Sequence, residues 1–279
     1  MEKAIKRYFP IFVLPTMIAF TLGFIIPFVE GVYLSFCKFT TVNDAKFVGF
    51  ANYAKVFTDE TFVHAFWYTA AFTVVSVILI NVLAFAVALL LTKGFKGTNI
   101  FRTVFFMPNL IGGIVLGYIW QLLLNGILMK FSRTLTYSST YGFWGLIILM
   151  CWQQIGYMMI IYTTGLNNIP KDLSEAAAID GAGTWQRFKS ITVPMLMPSF
   201  TIVFFLTLSK CFMLLDQNVA LTDGNFSTRM LAMQILYTTR DGSPPDYGLA
   251  QAQAVIFFVL IAAVTLVQVS ITSKKEVEL

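Results

Sequence analysis

Six stretches of the chain, at 11–36, 66–91, 104–124, 143–166, 196–215 and 252–271, are apolar over roughly the 20 residues a helix needs to cross a bilayer. In hydrocarbon every backbone N–H and C=O must be paired within the protein, so a spanning segment is either a helix or a strand of a closed barrel. Barrel strands take about 9–11 residues and alternate apolar with polar positions. These runs are twice that length and do not alternate. The expectation is an all-α integral membrane protein with six transmembrane helices. Only 12% of the residues are charged and 57% are hydrophobic. Soluble domains carry roughly 25% charged residues, so this chain has too few to cover a water-facing surface. The start, MEKAIKRYF, has the basic character of a signal peptide. The apolar run behind it is too long for one and is closed by no small-residue cleavage site, so a retained span is expected.

Loop charge sets the expected orientation. An even number of spans puts both termini on one side, with the loops near residues 93–102 and 171–189. That side holds eleven of the Lys and Arg residues, and the opposite loops hold seven. The bias toward the first side makes it cytoplasmic. The net charge of +5 is spread along the chain. A nucleic-acid surface needs a contiguous basic stripe with interleaved aromatics, and there is none, so no nucleic acid is expected. Cys37, Cys151 and Cys211 are far apart, in or beside apolar runs, and the single histidine is His64. That pattern suggests neither a disulfide framework nor a metal site. GxxxxGK[ST], HExxH and GxSxG are all missing, so the chain carries no assembled nucleotide-binding or catalytic parts.

One stretch breaks the apolar pattern. Residues 170–198 read PKDLSEAAAIDGAGTWQRFKSITVPMLMP. Asp172 and Glu175 have capping-box spacing, with Ser174 as an alternative N-cap. Leu173, Ala176, Ala177 and Asp180 share a helix face, and Gly181 can take the left-handed conformation that ends a helix. Thr184 is expected to cap a second short helix. A helix of about two turns is marginal in water, so this one must dock on something. Its alanines leave a shallow face and Glu175 complements the helix dipole. The residues allow two readings: a plug for a socket on another protein, or a connector packed on its own bundle.

Glu175-Ala176-Ala177, Asp180-Gly181-Ala182, Phe188, Ile191, Pro194 and Pro198 resemble the EAA loop of bacterial ATP-binding-cassette importer permeases, with Val193 where leucine is usual. FVGFANY at 47–53 is similar to the FVGLxNY of sugar permeases. FRTVFFMP at 101–108 is similar to their FRTxFFxP. Gly117, Ile119-Trp120 and Leu123-Leu124-Asn125 continue the pattern. LTDGNF at 221–226 stands where LTGGGP is usual. The chain therefore resembles the carbohydrate permeases of the maltose and glycerol-phosphate kind.

The resemblance implies the type I ABC importer permease fold, with a cytoplasmic EAA coupling helix in a bacterial inner membrane. The domains implied are a cytoplasmic N-terminus at 1–10, a six-helix permease domain at 11–271 with its coupling loop at 167–195, and a cytoplasmic tail at 272–279. The implied partners are a second, different permease chain, an ABC ATPase dimer that carries the ATP and magnesium, and an extracellular substrate-binding protein. The chain itself would hold no cofactor and catalyse nothing. Glu175, Ala176, Ala177 and Gly181 would transmit ATPase motion, while Leu173, Ile179 and Asp180 would shape and hold the helix. The cargo would be a sugar or sugar derivative, or else an organophosphate or polyol. The rival class is a self-sufficient secondary transporter or channel, which would need coupling-ion sites or a repeat.

Polar side chains deep in a span mark either a pathway or an interhelical contact. Those expected are Asn81, Asn109, Gln121, Gln153, Gln154, Lys210 and Gln217. Gly113 and Gly117 form a GxxxG expected to allow close helix packing. Lys210 is the only charge well inside a span, about 21 Å from Leu196 at about 1.5 Å rise per residue. Three readings stay open for it: snorkelling to the outer interface, pairing with an acid on a second permease, or attracting an anionic sugar.

Overall fold

The computed structural model describes residues 2–94, 96–241 and 244–274. Helix α1 runs as Glu2–Phe20, a π-helical turn at Thr21–Ile25, and Ile26–Leu34. A two-stranded antiparallel hairpin follows, β1 at Cys37–Lys38 and β2 at Lys46–Phe47. The remaining helices are α2 (Ala51–Thr58), α3 (Glu60–Leu91), α4 (Thr98–Phe106), α5 (Gly113–Leu128), α6 (Ser139–Asn167), α7 (Lys171–Ile179), α8 (Thr184–Arg187), α9 (Met197–Phe212), α10 (Asp216–Thr222), α11 (Leu231–Thr238) and α12 (Tyr247–Ser273). Five segments have the length and hydropathy of a span: Ile11–Leu34, Glu60–Leu91, Gly113–Phe131, Ser139–Asn167 and Tyr247–Ser273. A sixth exists if the bent pair Thr184–Met195 and Met197–Phe212 is counted as one.

Prolines explain where the helices depart from the expected runs. Proline lacks an N–H and its ring clashes with the carbonyl four residues back. Pro27 lies just after the π turn of α1, and Pro194 just after a second π turn at Phe188–Thr192. Pro198 opens α9, and the two segments meet there at 62°. The expected fifth span at 196–215 is a continuous helix only over Met197–Phe212, and the bend lies at its start. The expected third span at 104–124 is also corrected. It is divided into α4, a 3₁₀ turn at Met107–Leu110 containing Pro108, and α5, with Ile111 and Gly112 in extended conformation between them. The Gly112-Gly113 pair that follows is weakly helical. The expected boundary at residue 10 falls inside α1, and the one at residue 272 falls inside α12; residues 275–279 of the expected tail lie outside the described residues.

The chain forms two compact units. The first is Met1–Val63 with Ile235–Val259. Buried Asn52 anchors it: its amide donates at 2.9 Å to both the Ser35 and Cys37 carbonyls, joining α2 to the end of α1 and to β1. Tyr53 shares a 2.7 Å hydrogen bond with the Ser35 hydroxyl and packs on Phe36. Thus the FVGFANY segment works here as a structural clasp.

The second unit is His64–Gln234 with Leu260–Leu279. Its core surrounds α6, whose Leu146, Leu149, Met158, Met159 and Tyr162 are almost fully buried. Gly113 and Gly117 let α5 lie against α10. A Cβ at Gly117 would come within 2.5 Å of the Ala220 Cβ, and one at Gly113 within 2.8 Å of the Asp216 Cβ. The GxxxG is a packing surface, as expected. Asn218 then fixes the segment after α10: its amide donates to the Thr228 carbonyl at 2.9 Å and its oxygen accepts from the Met230 N–H at 3.0 Å.

Candidate functional site

Two regions of the second unit carry the residues singled out by the sequence. The first is α7. It starts at Lys171 behind Pro170, whose fixed φ suits a helix start, and no side chain caps it. The expected capping box of Asp172 and Glu175, and Ser174 as N-cap, are corrected: Asp172 and Ser174 lie within the helix. Thr184 is likewise the first residue of α8, with Gly183 at the cap. The C-terminal end is as expected. Gly181 takes φ +84° and donates to the Ala178 carbonyl at 3.1 Å, while the Ala182 N–H reaches the Ala177 carbonyl at 2.9 Å. A side chain at Gly181 would be strained in that left-handed conformation.

Almost nothing in its own chain covers α7. Ile179 is 87% exposed and Leu173 42%, and Glu175, Ala176 and Asp180 are exposed as well. Ile179 is therefore not packed on the bundle of its own chain. The tether is Arg187 on α8, which donates to the Ser174 carbonyl and hydroxyl at 3.4 Å. Beside it is an open cavity of about 290 Å³, lined by Ala177, Asp180, Gly181 and Gln186 among others. Below α8 a chain of rings leads into the core. Trp185 stacks on Phe188 at 5.5 Å, Phe188 meets Phe85 of α3 at 6.2 Å, and Phe85 packs on Tyr162 of α6 at 5.3 Å and on Phe200 of α9 at 5.2 Å.

The second region is a polar cluster within the apolar segments. Lys210 on α9 donates to the Gln154 side-chain oxygen at 2.9 Å and more weakly to Asn109 at 3.4 Å. Its ammonium sits 4.7 Å from the centre of the Tyr157 ring. Gln217 on α10 donates to the Gln153 oxygen at 2.9 Å, and Gln153 donates to the Ile111 carbonyl at 3.3 Å. Gln153 and Gln154 are buried; Asn109, Tyr157, Lys210 and Gln217 are partly exposed, so the cluster has an open side. Asn109, Gln153, Gln154, Lys210 and Gln217 are thus brought together.

The other two expected residues are not part of this cluster. Gln121 donates to the Leu221 carbonyl at 3.0 Å, joining α5 to α10. Asn81 is buried between α3 and α6; it donates to the Val77 carbonyl and accepts from the Tyr162 hydroxyl at 2.7 Å. Tyr157 is not among the residues expected from the sequence. The signal was available: it lies three residues after Gln154, on the same face of α6.

A family model described as binding-protein-dependent transport system inner membrane component matches residues 80–276. The chain belongs to this family, and it is a multi-pass membrane protein. It is 38% identical to the "Probable starch degradation products transport system permease protein AmyD" of Thermoanaerobacterium thermosulfurigenes, over 96% of this chain and 95% of that one. It is 30% identical to the "Multiple sugar-binding transport system permease protein MsmF" of Streptococcus mutans, over 99% of each. A chain of a bacterial ABC transporter involved in the import of the acidic polysaccharide alginate superposes with a TM-score of 0.82 over 98% of both chains, at 19% identity. The fold is the type I ABC importer permease fold.

Proposed function

We propose that this chain is one of two permease subunits in an ATP-driven, binding-protein-dependent importer of a sugar or sugar derivative, with both termini cytoplasmic. The sugar-transport names of its relatives support the cargo class. The observation that carries the coupling role is bare α7: nine residues with Leu173 and Ile179 turned away from the chain's own core. Burying Ile179 on a partner is worth about 1.5–3 kcal/mol, and the half-covered Leu173 adds a smaller amount.

The proposed partners are a second, different permease, an ABC ATPase dimer and an extracellular binding protein that delivers cargo. ATP and magnesium belong to the ATPase, and this chain performs no catalysis. Closure of the ATPase pair moves α7 as a rigid body, with Glu175, Ala176, Ala177 and Gly181 in contact with the motor. The ring chain through Phe188 and Phe85 passes that displacement to α3, α6 and α9, and the cavity changes the side it opens to. Cargo then passes Asn109, Gln153, Gln154, Lys210 and Gln217, whose amides can exchange hydrogen bonds with hydroxyls.

Cys37, Cys151 and Cys211 are all buried, so a cysteine placed at Ala177 is selectively addressable in the assembled transporter. A short bifunctional reagent there should capture the ATPase. Adducts formed only within this chain would sink the coupling reading. Uptake that continues without the ATPase would support a self-sufficient secondary transporter or channel instead.

A further inference from the structure

We infer that Lys210 selects a negatively charged cargo, an anionic sugar such as one bearing a carboxylate. The inference rests on the importer reading above and narrows its cargo class.

Three observations carry it. First, Lys210 is turned inward, onto Gln154, Asn109 and the Tyr157 ring. The long stem could instead have carried the charge to an interface. Second, its holders are all neutral. Among the described residues no acid forms an ion pair with Lys210 within 4.0 Å. Asp216, six residues after Lys210, lies against Gly113 and makes no such pair. Neutral amides and a ring fix the position of an ammonium without cancelling its charge. A charge held uncancelled inside an apolar segment is costly, and such residues mark pathways or partners.

Third, the ammonium keeps bonding capacity. It has three N–H groups. Only one has a short hydrogen bond, at 2.9 Å; a second reaches Asn109 at the long distance of 3.4 Å. Beside Lys210 are the partly exposed Tyr157 ring and the partly exposed Asn109 amide. An anionic group on Lys210, hydroxyls on the amides and a sugar face against Tyr157 use each part of this arrangement.

The test compares two labelled probes, digalacturonate and neutral maltotriose, in the importer assembled with its own binding protein, second permease and ATPase. Wild type should move digalacturonate. Lys210→Met should lower the acidic-to-neutral uptake ratio by about tenfold, the scale of one lost charge-assisted hydrogen bond. Lys210→Arg, which keeps the charge, should keep that ratio above the Lys210→Met value. Co-purification of all four components should survive both changes. Equal loss of both probes, or failure of Lys210→Met to assemble, would overturn the inference in favour of an acid on the second permease. A wild type that moves only maltotriose would also overturn it. An assembled complex that moves neither probe would instead bring down the carbohydrate reading, and this inference with it.

Discussion

Helices α6 and α7 follow one another in the chain and are built on opposite plans. Helix α6 spans 29 residues, and its two central amides are enclosed: Gln153 and Gln154 keep 5% and 4% of their surface. Helix α7 spans nine, leaves both of its large apolar side chains in the open and ends at a glycine that no neighbour restricts. A helix enclosed by its own chain is specified by packing; one left bare is specified by what it will meet. The same substitution should therefore have different consequences in the two places.

The largest effect is expected at the end of α7. Gly181→Pro cannot take φ +84°, since proline is locked near −65°. It also removes the N–H that reaches the Ala178 carbonyl. Transport should be abolished while membrane insertion survives, because no core contact is touched. On the proposed coupling role, Glu175→Lys should do the same by reversing an exposed charge on α7. Uptake assays set beside surface labelling decide the matter, and normal uptake by both variants would refute the coupling role.

Next is a matched pair of glycines. A Cβ at Gly156 of α6 would sit 1.8 Å from the Phe105 carbonyl oxygen of α4, so even alanine forces the helices apart. Overpacking of this kind costs about 3 kcal/mol or more. Gly183, between α7 and α8, has open space around it and φ −68°. Alanine there should change stability by less than about 1 kcal/mol, since the smaller unfolded-state entropy is set against alanine's poorer fit at an N-cap. Thermal unfolding of the two variants in detergent gives both values. Similar losses at the two positions would mean that the α7 region is as tightly enclosed as α6.

Much of α7 was legible in the sequence because a short helix and its stop are written in consecutive residues. The alanines, the flanking acids and Gly181 announce a short helix and its stop. What failed there was the start, where Pro170 preset the backbone and Asp172, Ser174 and Thr184 were not needed as caps. The spans were legible by length, but not where prolines and glycines broke them, because hydropathy counts side chains and ignores missing N–H groups. The polar cluster was legible only as a set of residue types. Whether two amides in different spans meet depends on helix rotation, which no run of apolar letters fixes. Asn109 and Lys210 are joined across 101 positions, while Asn81 turned toward α3 and α6 instead.

That division among buried amides leads to the smallest effect. Tyr162→Phe removes the donor to the Asn81 oxygen and leaves that oxygen buried without it. Hydrogen bonds between helices in membranes are worth on average about 0.6 and at most about 1.7 kcal/mol. The loss should appear as a slightly lower thermal midpoint of the assembled transporter. It should leave the ratio of acidic to neutral uptake untouched, because Asn81 satisfies neighbours rather than cargo. Replacing Gln154, which holds Lys210, should shift that ratio. If Tyr162→Phe changes cargo preference as well, Asn81 belongs to the pathway, and the buried polar groups of this unit form one continuous site rather than a clasp and a separate cluster.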